Sequence, residues 1–155
     1  MLYHEVTGAG APILLIAGVG SDHMSWLGIT RALSARFRVI AFDNRGCGRS
    51  RTPAGRYTIR QMTDDTVRLL DHLGIDRCHV LGHSMGGYIA QELAIRHPAR
   101  VDRLVLEGTA PVSTERNNAL LRNLLIRRQA ATDLAFWIRQ WTFWLFSPRT
   151  FERKT

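Results

Sequence analysis

The segment His79-Val80-Leu81-Gly82-His83-Ser84-Met85-Gly86-Gly87 constrains the fold of this chain more than any other. An apolar run meets a glycine, a serine follows two residues later, and two more glycines precede a helix-forming stretch. A serine hydroxyl is a poor nucleophile and needs both position and activation. A sharp strand-to-helix turn lifts the side chain of Ser84 clear of the backbone. Gly82 and Gly86 leave room where a side chain would collide with the turn or with a neighbouring strand. The helix starting near Gly87 aims its N-terminus at the site and favours negative charge there. The N–H of Met85 is then placed to bind a developing oxyanion. Ser84 is therefore the candidate nucleophile.

The rest of the chain supplies the sheet that such a turn requires. Leu2 to Thr7 and Pro12 to Ala17 read as two strands joined by a tight glycine turn at Gly8-Ala9-Gly10, the second buried on both faces. Ser25 to Arg36 carries Trp26, Ile29 and Leu33 at helical spacing. Phe37 to Phe42 is another buried strand, and Thr58 to Leu73 an amphipathic helix stopped by Gly74. Cys78 to Leu81 is the next strand, Gly87 to Arg96 a helix, and Val101 to Leu106 the last strand. After the first hairpin, strands alternate with helices, the pattern of an α/β protein with a mostly parallel sheet. In such a sheet the chemistry gathers at the carboxyl ends of the strands. Glycine-marked loops follow Ala17, Phe42 and Leu81, all at that end.

Beyond about Thr114 the chain turns rich in Leu, Arg and Trp, and two or three helices are expected. Trp137, Trp141 and Trp144 share one helical face there. They fit either an apolar lining over the active site, with Trp137 and Trp141 touching substrate, or ordinary packing.

Composition narrows the partners. The 155 residues carry a formal net charge of +8, almost all of it from arginines scattered over every segment. Without a clustered basic face or a recognised binding motif, nucleic acid is not an expected partner. Neither a secretory leader nor a membrane span is recognisable, so a cytoplasmic protein without a membrane partner is expected. Cys47 and Cys78 have no metal-ligand or CxxC spacing, and no metal or organic cofactor is expected.

In three places the sequence resembles the α/β-hydrolase superfamily. Gly82-His83-Ser84-Met85-Gly86-Gly87 looks like its nucleophile elbow. Asp43-Asn44-Arg45-Gly46-Cys47-Gly48-Arg49-Ser50 looks like the D-x-R-G-x-G-x-S loop after its fourth strand. Ala17-Gly18-Val19-Gly20 stands in the place of its oxyanion loop, with Ala17 where many relatives have His. The resemblance implies an incomplete α/β-hydrolase sheet, about strands 2 to 6 of eight. A partial core at 1–113 would be followed by the beginning of a helical cap at 114–155. It also implies an oxyanion hole from the N–H groups of Val19 and Met85. The elbow and oxyanion segments are similar to those of enol-lactonases and small carboxylesterases, so a small-molecule acyl substrate is expected, an ester, a lactone or a relative.

The family's chain order is Ser, then Asp or Glu, then His. The last histidine here is His97, on the helix after the elbow. His23, after the oxyanion loop, would break that order as a base, and His83 lies in the turn itself. Glu107, directly after the last strand, sits where a subset of relatives carries the triad acid. The chain thus reads as the N-terminal part of a longer or split hydrolase, inactive alone. It would be completed by a C-terminal segment bringing the histidine, or self-associated through a bare sheet edge. The alternative is a non-catalytic module of the same fold that binds a small molecule or a partner.

Overall fold

The computed structural model describes residues 1–51, 55–130 and 133–145, and among these the side chains of 128 and 140–145 are left out. Five strands form one sheet among the described residues: β1 (His4–Thr7), β2 (Ala11–Ile16), β3 (Phe37–Phe42), β4 (Cys78–His83) and β5 (Val101–Glu107). Helices α1 (Leu27–Ser34), α2 (Ile59–His72) and α3 (Met85–Arg96) connect the parallel strands, and α4 (Glu115–Gln129) and α5 (Leu134–Leu145) follow. The chain divides into two compact units, Met1–Pro111 and Val112–Thr155.

The sheet runs in the order β1-β3-β2-β4-β5. All pairings are parallel except β1 with β3, which is antiparallel with His4 opposite Phe42 and Thr7 opposite Val39. This corrects the expected first hairpin, because β3 lies between β1 and β2. The physical reason is in the two strands. β2 is apolar on both faces and takes a parallel neighbour on each side, whereas β1 is short, mostly exposed and suited to an edge. Gly8, at φ 81°, carries the chain across the start of β3. A Cβ there would press on the carbonyls of Ser34 and Phe37.

Both faces of the central strands are buried, which explains their continuous apolar runs. Leu14, Ile16, Ile40, Phe42 and Val80 face α2 and α3, where Leu69, Leu70, Ile89 and Leu93 meet them. Ile13, Leu15, Val39 and Ala41 face the other way and pack with Trp26 and Leu33. α2 begins with a reciprocal cap: the Gln61 N–H donates to Thr58 Oγ1 at 3.1 Å, and the Thr58 N–H donates to Gln61 Oε1 at 3.0 Å. It ends at Gly74, φ 64°, where the Ile75 N–H returns to the Leu70 carbonyl.

β5 differs from the other parallel strands. It pairs with β4 on one side only, and its apolar residues Leu104, Val105 and Leu106 stay exposed, Val105 at 51%. Side-chain deletion should therefore read out very differently at the two positions. Leu14→Ala is expected to destabilise by about 2–5 kcal/mol, while Val105→Ala is expected to stay within about 0.5 kcal/mol. Urea unfolding monitored by tryptophan fluorescence checks both.

Candidate active site

β4 delivers Ser84 to the carboxyl end of the sheet, and α3 starts at the next residue. Among the described non-glycine residues Ser84 alone has a positive φ, 52°, with ψ −115°. Such a conformation costs on the order of 1–3 kcal/mol and persists only where its surroundings enforce it. They do so here through close contacts. A Cβ on Gly86 would overlap the Ile16 carbonyl of β2, one on Gly82 would overlap the Gly86 carbonyl, and one on Gly87 would overlap Thr109. The Ser84 N–H donates to the Glu107 carbonyl at 2.9 Å, so the turn is also tied to the end of β5. Serine at a helix N-cap usually bonds the first turn. Ser84 makes no such cap bond, which leaves its hydroxyl available.

The loop after β2 passes over this turn. A Cβ on Gly18 would come within 3.3 Å of Ser84 Cβ, and Val19 follows, exposed. Gly18, the neighbour of the expected donor Val19, thus lies against Ser84, and the other expected donor, Met85, follows the serine as the first residue of α3. The loop rests on the corner after β3. Buried Asn44 donates from Nδ2 to the Ala17 carbonyl at 3.0 Å, and Asp43 Oδ1 accepts from the His23 N–H at 2.8 Å and from His23 Nδ1 at 2.6 Å. The other Asp43 oxygen accepts from the Arg49 N–H at 2.7 Å. Burial opposes ionisation of Asp43, but the bonds from Arg49 and His23 outweigh it and hold the carboxyl below the usual carboxylate range. Asp65 is held down similarly: burial raises it, and Arg45 and Arg68 more than compensate. The Arg45 contribution is a two-pronged pair at 2.5 and 2.8 Å that ties the same corner to α2.

A profile described as the alpha/beta hydrolase fold matches residues 11–149. The chain belongs to the α/β-hydrolase family. RutD of Caulobacter sp. (strain K31), whose name assigns it to carbamate hydrolysis, is 46% identical over 110 residues, covering 68% of this chain and 41% of that protein. The crystal structure of a hydrolase from Pseudomonas aeruginosa PA01 superposes with a TM-score of 0.88 at 31% identity, over 99% of this chain and 58% of that one. The enol-lactonase from Burkholderia xenovorans LB400 gives a TM-score of 0.68 at 40% identity, over 70% and 44% of the two chains. The chain thus spans about half the length of the relatives it matches.

Within this α/β-hydrolase the other candidate residues fall as follows. Glu107 sits beside the turn, with its carboxylate 62% exposed and 3.6 Å from His83 Nδ1. His83 and Glu107 border a cleft of about 340 Å³ with Ser21, Ser25, Trp26, Gly28 and Ile29. The Trp26 and His83 rings meet edge to face at 6.4 Å. His23 is buried between Asp43 and Glu5, its Nε2 3.3 Å from Glu5 Oε1, so its ring is spent on a structural contact away from the serine. Among the described residues no histidine hydrogen-bonds the Ser84 hydroxyl. Trp137 is half-buried and donates its indole N–H to the Leu124 carbonyl at 2.8 Å, a bond inside the second unit. The side chains of Trp141 and Trp144 lie outside the described residues.

Sequence spacing missed one cluster. Asp22, His23 and Asp43 bring donor atoms within 4.8 Å of one another. Those atoms already have protein partners: Asp22 Oδ1 caps the Met24 N–H at 3.0 Å, and both Asp43 oxygens accept bonds as above. The set therefore serves as a loop anchor rather than as a vacant ligand shell. Both cysteines are free; burial pushes the Cys47 thiol up and raises Cys78 to about 11, which makes them weak nucleophiles.

Two outcomes follow from this geometry. Gly86→Ala is expected to lower stability by about 3 kcal/mol, because the added methyl meets backbone on both sides; calorimetry checks it. For Asp43 and Asp65 the folded value lies below the unfolded one. Their contribution is therefore full above the unfolded value of about 3.9 and lost as pH falls through the lower folded value. Urea melts are expected to show a flat stability down to about pH 5 and a fall below about pH 4, with a shallower fall in Asp65→Asn.

Proposed function

We propose that this chain carries the nucleophile half of a serine hydrolase that acts on an ester, a lactone or a related acyl substrate. The observation that carries the reading is Ser84: a strained turn at a helix N-terminus with its hydroxyl uncommitted and a glycine loop against it. Ser84 Oγ attacks the substrate carbonyl carbon and gives its proton to an imidazole. The N–H groups of Val19 and Met85 hold the oxyanion. The tetrahedral adduct expels its leaving group with that proton, and water then hydrolyses the acyl-serine by the same route. Esters, lactones and carbamates all present such a carbonyl, so the names of the relatives agree on the reacting atom while differing in the leaving group.

The imidazole is supplied by a C-terminal segment that pairs along the free edge of β5. Exposed Leu104, Val105 and Leu106, and the half-length match to the relatives, support that partner over self-association of the same edge. In this reading Glu107 orients the imidazole, supported by its position next to His83 at the cleft.

The test mixes this chain with a polypeptide corresponding to the part of the Caulobacter RutD that the match leaves uncovered, and adds a fluorescent fluorophosphonate. Labelling is expected to rise by about 10²–10⁴-fold with the second polypeptide, the range of a general base, and to vanish in Ser84→Ala. Stable association without Ser84-dependent labelling would favour the other reading, a module of this fold that binds without turnover.

A further inference from the structure

The Asp43-Asn44-Arg45-Gly46-Cys47-Gly48-Arg49-Ser50 loop has no part in the proposed chemistry, yet its first two residues are almost completely buried polar groups, Asp43 at 0% and Asn44 at 1% exposure. A buried amide or carboxylate is costly unless its bonds are made. Here one bond set from each residue runs to the loop after β2. Asn44 Nδ2 donates to the Ala17 carbonyl, at the point where β2 gives way to the loop. Asp43 Oδ1 accepts from the His23 N–H and ring, where the loop enters the turn before α1. The loop from Ala17 to His23, with Val19 in it, is thus held at both ends by the corner after β3.

We propose that Asp43 and Asn44 are positioning residues for the oxyanion donor: the pair fixes the two ends of the Ala17–His23 loop so that the Val19 N–H faces the carbonyl attacked by Ser84. The inference rests on the serine-hydrolase reading above. A glycine-bearing loop with Gly18 and Gly20, the latter at φ 70°, has wide backbone freedom. Stabilisation of a developing charge requires a donor whose position is set before reaction. The corner removes that freedom without placing any side chain of its own against the reacting atoms. Arg49 and Ser50 complete the anchor from behind: the Arg49 N–H holds the second Asp43 oxygen, and Ser50 Oγ donates to the Asp43 carbonyl at 2.6 Å.

The experiment uses the full chain, phenylboronic acid as the probe, and two readouts. Boron NMR reports formation of a tetrahedral adduct on Ser84, and amide hydrogen exchange reports the loop at Val19. Asn44→Ala is expected to weaken adduct formation about a hundredfold, the scale of a misplaced reacting group, and to speed Val19 exchange at least about tenfold, with β2 and β4 exchange unchanged. Should Asn44→Ala fail to fold, Asn44→Asp serves. Its carboxylate faces the Ala17 carbonyl acceptor to acceptor, and its affinity relative to wild type is expected to recover as pH falls from about 8 to about 5 and the buried acid regains a donor proton. A folded Asn44→Ala that keeps wild-type affinity, or speeds Val19 exchange without losing affinity, overturns the proposal. Adduct formation that persists in Ser84→Ala overturns the serine reading instead. If no adduct forms on the wild-type chain, the exchange arm decides alone: unchanged Val19 protection in Asn44→Ala overturns the clamp, and its loss upholds it.

Discussion

α3 approaches β2 so closely at Gly86 that an added Cβ would meet the Ile16 carbonyl, and the turn at Ser84 depends on that contact. Where another residue would place a side chain, the helix start lies against the Ile16 carbonyl. That approach forces the sharp reversal at Ser84 and the positive φ that goes with it. The strain is local, and it is offset by the two apolar layers that fix β2 and β4 against α2, α3 and α1. A helix so close to the sheet also brings its N-terminal N–H groups over the strand ends, where a developing negative charge is favoured. Fold and the proposed chemistry therefore share one contact, and loosening the glycine contact would relax the strained backbone at Ser84.

A second, polar layer completes the site at the same end of the sheet. Asp43 and Asn44 are buried just beyond the end of β3, next to β2, and each bonds the loop that β2 releases, while the second Asp43 oxygen accepts from the Arg49 N–H. The Arg45–Asp65 pair extends this corner to α2, and Arg45 lies over the Tyr57 ring at 5.4 Å. A polar cluster of this kind is stable only when every member is satisfied. That requirement explains the glycines around it: Gly48 sits so close to the Asp43 carboxylate that a side chain would displace it.

Local pattern made most of this visible in the sequence. Apolar runs of strand length, the Thr58 cap signal and the glycine-serine-glycine turn are short-range features, and the strands, helices and Ser84 fell where those signals place them. Strand neighbours were less legible. β1 and β2 are adjacent in sequence and joined by glycines, so a hairpin was the natural reading, but pairing is decided by which faces must be buried. The anchor formed by His23 and Asp43 was hidden for a similar reason. The two residues lie twenty positions apart with no periodic relation, and only the parallel pairing of β2 with β3 brings their loops together. Histidine at a loop start looks like a candidate base until its ring is found between two carboxylates.

Those observations separate what the fold pre-sets from what remains to be supplied. The nucleophile, the loop beside it and the corner that anchors the loop all belong to the first unit and are built on β2, β3 and β4, the most deeply buried strands. β5 is mostly exposed and touches this arrangement through the Glu107 carbonyl, which accepts from the Ser84 N–H. Among the described residues no imidazole reaches Ser84, so the proton acceptor is the one element of the proposed reaction that this core does not position. Charge stabilisation and nucleophile placement contribute to rate without a base, whereas a base contributes nothing without a placed nucleophile. At the β5 side of this core Glu107 and His83 adjoin and border one cleft.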